Sequence, residues 1–268
     1  MTTETVLSPT KVNAYLVCPR KYKVQFIDGL DVETEELRGG RAVHAAIAEI
    51  NLLGSENKEM LDLLDQKKWL ADFWTTVERL TSRHFAKEMK PEDNRDKYAA
   101  MVRTYVLTIL ARIKKLREKN LSAYYALPKT FEHWVRSDDL KFRGIIDAKE
   151  EWIANERLYG ENWIVDYKTG AVTNIPFKFE HWLQVQMYAL AYYEADGKLP
   201  SGAAIWFLSS NAWALYDISL DTVAEAAAWV EYVREEIEAG HFEPTETPLC
   251  PWCPGKGDCP VATITRTA

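Results

Sequence analysis

Trp163-Ile-Val-Asp166-Tyr-Lys168-Thr-Gly170 is the stretch whose reading decides the fold. Ile164, Val165 and Tyr167 supply the β-branched and aromatic content of a strand, and Thr169-Gly170 ends it. Side chains two apart in a strand share a face, so Asp166 and Lys168 project together while Val165 and Tyr167 point the other way. A carboxylate and an ammonium thus share one face at a strand end, as they would in any solvated ion pair beside a turn. The preceding strand changes the reading. In Phe142-Arg-Gly-Ile-Ile-Asp147-Ala, Asp147 follows two isoleucines and precedes an alanine. That setting is expected to be buried, where an unpaired carboxylate is costly. Asp147 needs a cation, and either Lys168 or a metal ion would serve. Two acids from adjacent strands with a lysine beside them suit Mg²⁺ or Mn²⁺. Such an ion can polarise a phosphodiester and lower the pKa of a bound water.

Outward from this centre, Thr130 to Val135, Phe142 to Lys149 and Trp163 to Lys168 read as strands separated by polar turns. A helix follows over roughly 178 to 195, then strands near 203 to 208 and 213 to 218, and an acidic helix from Asp221 to Ala239 ended by Gly240. Upstream, Ser8-Pro9 caps a first helix that ends near Cys18-Pro19. A second helix is expected to start after Gly39-Gly40, with Val43, Ile47 and Ile50 as its apolar stripe and His44 beside it. Residues 58 to 120 show helical spacing interrupted at Pro91, which predicts two helices. The order predicts an α/β core with an inserted helical portion.

The chain has 268 residues, 47% hydrophobic and 27% charged, which excludes disordered and fibrous classes. Its formal charge of −7, from 33 Lys and Arg against 40 Asp and Glu, excludes a uniformly basic nucleic-acid coat but not a local basic groove. Neither a signal pattern nor a bilayer-length apolar run is present, so a cytosolic protein with no membrane partner is expected. In a reducing compartment the four cysteines point to a metal site before disulfides.

In its motifs the sequence resembles the RecB-like and AddB-like branch of the PD-(D/E)xK nucleases, which includes CRISPR adaptation exonucleases and many phage recombination nucleases. Four blocks carry the likeness in the family's order: Gly40-Arg-Ala-Val-His44, Gly144-Ile-Ile-Asp147, Asp166-Tyr-Lys168-Thr-Gly170 and Gln184-Val-Gln-Met-Tyr188. The resemblance implies a restriction-endonuclease-like mixed β-sheet core flanked by helices. It implies that His44, Asp147 and Asp166 ligate a divalent ion with the backbone carbonyl of Tyr167. Lys168 would orient or deprotonate the attacking water and stabilise charge on the phosphate. A lysine beside two carboxylates tends to keep its proton, which favours electrostatic stabilisation, whereas metal binding would lower its pKa; both roles stay open. Gln184 and Tyr188 share a helix face and would form a polar shell near the lysine or the DNA backbone. A nitrogen ligand favours Mn²⁺ over Mg²⁺.

Cys18 stands near the start, and Cys250, Cys253 and Cys259 crowd a Pro- and Gly-rich tail. Spacing leaves zinc and an iron–sulfur cluster open, since both accept four thiolates; the resemblance implies a [4Fe–4S] cluster that clips the N-terminus to the C-terminus. The expected division is 1–30 as N-terminal helix with the first cysteine, 31–128 as helical region with the His motif, 129–240 as nuclease core and 241–268 as iron–sulfur tail. Arg20, Lys21 and Lys23, and Lys114 and Lys115 within a basic run that includes Arg112, are candidate phosphate contacts. The ten tryptophans are read mostly as core, with none assigned to DNA. The implied activity is a metal-dependent exonuclease acting on DNA ends or single strands, beside a helicase, recombinase or CRISPR integrase. The alternative is a catalytically silent DNA-end-binding or scaffold subunit.

Overall fold

In the computed structural model, residues 6–30, 33–57, 61, 64, 67–154, 156–170 and 179–261 are described. Helix α1 (Pro9–Val17) begins where the Ser8 side chain accepts the Lys11 N–H, and α2 (Pro19–Tyr22) continues into a π-turn over Lys23–Ile27. Three long helices follow: α3 (Glu35–Glu56), α4 (Lys67–Glu88) and α5 (Arg95–Glu118). Then come β1 (Thr130–Ser137), β2 (Phe142–Glu150), a short hairpin of β3 (Trp152–Ile153) and β4 (Glu156–Arg157), and β5 (Trp163–Lys168). The chain ends with α6 (Phe179–Asp196), β6 (Gly202–Phe207), β7 (Ala212–Tyr216), α7 (Leu220–Glu238) and a cysteine-bearing tail. Residue 178, the expected start of α6, lies outside the described residues. Among them, no helix is long and apolar enough to cross a membrane.

The sheet runs β1-β2-β5-β6-β7, antiparallel except for the β5–β6 pair. A parallel pair needs a crossover, and α6 lies between these two strands in sequence. Each face of the sheet is covered. Val165, Tyr167, Ala204 and Trp206 pack with α3, α4 and α5, whereas Ile164, Ala203, Ile205 and Phe207 pack with α1, α6 and α7. The period-two alternation along β5 and β6 is therefore read out as two cores. This is the mixed sheet flanked by helices expected of a restriction-endonuclease-like fold.

One boundary differs from expectation. Helix α3 starts at Glu35, capped by the Thr34 side chain, and runs through Gly39 and Gly40 instead of starting after them. The glycines serve packing: a Cβ at Gly39 would sit 2.3 Å from the Tyr98 ring of α5, and one at Gly40 would touch Thr169 Oγ1 at 3.4 Å. Arg112, read as part of a basic run, is fully buried and meets Glu150 at 2.6 Å, because α5 turns that position into the core. The tryptophans divide: Trp206 and Trp152 are core, while Trp252 and Trp134 stand on the surface.

Candidate active site

β2 pairs with β5 only from Ala148 to Glu150, although β5 runs on to Lys168. Where the strands part, the Asp147 carboxylate takes over the ladder's role and accepts the Tyr167 N–H at 2.7 Å. β2 is also distorted there. Ile146 packs into the α6 side and Ala148 into the α3 side, though an undisturbed strand sends residues two apart to one face. Opposite, the β1–β2 register places Glu132 level with Asp147, and Glu132 has a left-handed φ of 47°. Such a conformation is uncommon outside glycine and concentrates at functional sites.

His44 reaches this break from α3. Its Nδ1 lies 3.2 Å from Asp147 Oδ1 and its Nε2 lies 3.0 Å from the Tyr167 carbonyl oxygen. Both ring nitrogens thus face acceptors, an arrangement that fits a doubly protonated imidazolium. Burial alone would lower the His44 pKa, but the charge and hydrogen bond of Asp147, with Asp166 behind, outweigh it and raise the value to about 9. The imidazolium acts as a cation among acids, and ligation through nitrogen requires it to lose a proton.

Donor atoms of His44, Glu132 and Asp147 all lie within 4.8 Å of one another. Burial pushes the Glu132 carboxyl up, and the Asp147 charge adds to that. Two like-charged groups level across a ladder are destabilising unless a cation intervenes. Glu132 went unseen in the sequence because Phe131-Glu132-His133 alternates like any half-exposed strand; its signal is the positive φ, which a sequence does not display.

Asp166 and Lys168 sit one strand further along, facing α6. Lys168 Nζ lies 2.9 Å from Asp166 Oδ2 and donates to Gln184 Oε1 at 2.8 Å. Gln184 Nε2 donates to Asp166 Oδ1 at 2.9 Å and to Tyr188 Oη at 3.3 Å. Asp166 is buried, and burial holds its carboxyl above the usual range, with Asp147 adding and Lys168 opposing. Asp166 Oδ2 has an ion-pair partner but no aligned hydrogen bond, which leaves a buried anionic oxygen able to take a cation. The Tyr188 ring occupies the space over Gly144, where a Cβ would come within 2.8 Å of it. His44, Asp147, Asp166, Lys168, Gln184, Tyr188 and the Tyr167 carbonyl therefore gather at one end of the sheet. Asp166 faces Lys168 and Gln184, apart from the trio His44, Glu132 and Asp147. This donor set of carboxylates, one imidazole and a carbonyl suits a hard or borderline divalent ion.

The four cysteines converge elsewhere. Cys18, Cys250, Cys253 and Cys259 line one cavity of about 130 Å³, together with Arg20 and Lys21. The Thr245 N–H donates to Cys18 Sγ at 3.4 Å and the Thr247 N–H to Cys250 Sγ at 3.3 Å. Of the basic candidates, Lys23 pairs with Asp28 at 2.7 Å, Arg20 donates to the Asp258 carbonyl at 3.0 Å, and Lys115 lies 3.4 Å from Glu156. Lys21 lines a groove that also contains Lys168 and Gln184, whereas Lys114 and Lys115 do not.

Compared with known proteins, the chain has no match among curated proteins. A solved structure described as "Crystal structure of SSO0001" aligns at 14% identity over 91% of this chain and 95% of that one, with a TM-score of 0.33, which adds nothing to the assignment. The family model for the PD-(D/E)XK nuclease superfamily matches residues 6–260. With that match running from the residue before Leu7 into the cysteine tail, this chain belongs to the PD-(D/E)XK nuclease superfamily.

Proposed function

We propose that the protein is a divalent-metal-dependent deoxyribonuclease that trims DNA from ends or single strands, as recombination, repair or CRISPR spacer acquisition requires. A helicase, recombinase or integrase would deliver such ends. The observation that carries this reading is the meeting of His44, Glu132 and Asp147 within 4.8 Å beside the Asp166–Lys168–Gln184 cluster.

His44, Glu132 and Asp147 would hold the ion, with Asp166 and the Tyr167 carbonyl beside them to complete its coordination. Mn²⁺ or Mg²⁺ there supplies Lewis-acid polarisation of the phosphate and a more acidic water. The chain's own groups do the rest. Lys168 presents an ammonium toward the groove, where negative charge grows on the phosphate during hydrolysis. Gln184 holds Lys168 and Asp166 in fixed relation, so the ammonium needs no reorganisation as charge develops. Tyr188 supports Gln184 from behind.

The cysteine cavity is read as a [4Fe–4S] site. All four thiols line one space of about 130 Å³. Zinc and a cluster both accept four thiolates, and the motif resemblance supports the cluster over zinc. The cluster's role is structural, fastening Cys18 to the tail.

End-labelled single- and double-stranded DNA incubated with Mn²⁺ tests the reading, with Asp166→Ala and Lys168→Ala beside the wild type. Cleavage by the wild type alone is expected. Equal activity in all three, or none under any divalent ion, would sink the catalytic assignment and leave a DNA-end-binding subunit.

A further inference from the structure

We infer that the groove beside Lys168 binds one unpaired DNA strand by stacking its bases on Trp252 and Phe26. This deepens the nuclease reading above and rests on it. The groove encloses about 640 Å³; Lys168 and Gln184 line it, as do Trp252, Phe26 and Lys21. It therefore joins the candidate chemistry to the region beside the cysteine cavity, which Lys21 and Trp252 also line.

Trp252 is 71% exposed, more than any other large apolar side chain among the described residues, and Phe26 is 39% exposed. Exposed aromatics gathered in one groove mark an interaction site. Both are mounted on fixed backbone. The Trp252 N–H donates to the Leu249 carbonyl at 3.0 Å, in the short turn Cys250–Trp252. The Phe26 ring leans on Tyr22 with centroids 5.3 Å apart, and Tyr22 in turn lies parallel to Phe242. A ring carried on a fixed backbone position has less to reorganise when a base stacks on it.

The occupant follows from what the groove contains. Aromatic faces with cations, running to a candidate phosphodiester site, match a strand that offers bare bases and phosphates alternately. Lys21 and Lys168 supply the cations, and Glu180 is an acid on the same wall. A duplex keeps its base faces inside the stack, so this surface selects unpaired strand without reading sequence.

Binding of a short oligothymidylate and of a blunt duplex of equal length, measured in EDTA so that nothing is cut, tests this. Trp252→Leu and Phe26→Leu are each expected to weaken oligothymidylate binding ~5- to 150-fold, the span of one lost base stack. Trp252→Phe recovers most of the loss, and Trp134→Leu, on exposed β1 outside the groove, changes nothing. Phe26 lies outside the cysteine tail, so its variant answers even where the Trp252 variant disturbs that tail. Unchanged affinity in both leucine variants, equal losses on duplex, or no strand binding by the wild type overturns the inference. If the wild type cuts DNA with Mn²⁺ while the leucine variants bind normally, the groove assignment fails and the nuclease reading stands. If no divalent ion supports cutting but the variants lose strand binding, the reverse holds.

Discussion

Glu132 stands level with Asp147 across the β1–β2 ladder, and donor atoms of both lie within 4.8 Å of each other and of His44. Without a metal, two carboxylates and an imidazolium share this space. Glu132→Gln removes one of the like charges, so the metal-free variant should match or exceed the wild type in thermal stability while responding less to Mn²⁺. For the wild type, metal at 100 times its Kd contributes about 2.7 kcal/mol, or roughly 5–10 °C in Tm for a domain of this size. Thermal melts of both proteins in EDTA and in Mn²⁺ measure this. An equal metal-induced gain in the variant would remove Glu132 from the site.

Lys168 and Gln184 are expected to separate kinetically. On the proposed role of Lys168, Lys168→Ala should lower kcat ~10²- to 10³-fold, the scale of one lost stabilising donor. Gln184→Ala leaves the ammonium but frees it from the amide that fixes it, so a smaller loss, ~10-fold, is expected. Single-turnover cutting of saturating single strand distinguishes the two. A Gln184 loss as large as that of Lys168 would give the glutamine more than a positioning role.

The helix that carries His44 is anchored by a pair with its own pH signature. Arg38 Nε donates to Asp93 Oδ2 at 2.8 Å, and Asp93 also accepts the Lys90 N–H at 2.8 Å. The Arg38 hydrogen bond holds the Asp93 carboxyl down at about 2. A folded-state pKa below the unfolded value of about 3.9 means the contribution is full above that value and is lost as pH falls through the folded one. The stability gap between wild type and Asp93→Asn should therefore be constant at neutral pH and close between about pH 4 and about pH 2. Urea midpoints across that range report it; a gap that persists at the acid end would contradict the assignment.

The fold was legible where period and chemistry agree. Along β5, alternation predicted that Asp166 and Lys168 face one way and Tyr167 the other, and the structure sends Tyr167 to α5 and Lys168 to Gln184. Helix α6 and the strands around it were found within a residue or two for the same reason. Gly39-Gly40 misled because glycine marks both a helix boundary and a close helix contact, and only the Tyr98 ring across the interface decides between them. Arg112 was unreadable because its partner, Glu150, lies on another element, while Lys114, Lys115 and Arg117 nearby in the chain made it look like part of a basic run. Glu132 was hidden in a backbone angle. What escaped the sequence is what depends on a partner distant along the chain.

Replacing Cys250 by Ser should empty the cysteine cavity and loosen the tail that carries Trp252. Iron and acid-labile sulfide, expected at about four each per wild-type chain, should fall together with the visible absorbance. Because the cysteines line a cavity other than the groove that contains Lys168, KM for single strand should rise while kcat changes little. Stoichiometric zinc in the wild type would replace the cluster reading, and a collapse of kcat at saturating DNA would tie the cavity to the chemistry.

A buried ion pair lies beneath the site. Arg112 and Glu150 have no exposed side-chain surface and meet at 2.6 Å, with the Arg112 guanidinium 5.4 Å from the Trp152 ring centroid. Glu150 Oε1 also accepts Tyr167 Oη at 3.1 Å, from the residue whose carbonyl faces His44. Arg112→Met alone strands a buried carboxylate and should cost about 3–5 kcal/mol, whereas Arg112→Met with Glu150→Leu removes both charges and should cost far less. The double variant still deprives the Tyr167 hydroxyl of its acceptor. Tyr167 then shifts, and metal affinity should fall ~10-fold or more even though stability is nearly restored. Urea unfolding and Mn²⁺ titration on the same two variants separate these effects; full recovery of metal affinity in the double variant would show that Glu150 serves the core alone.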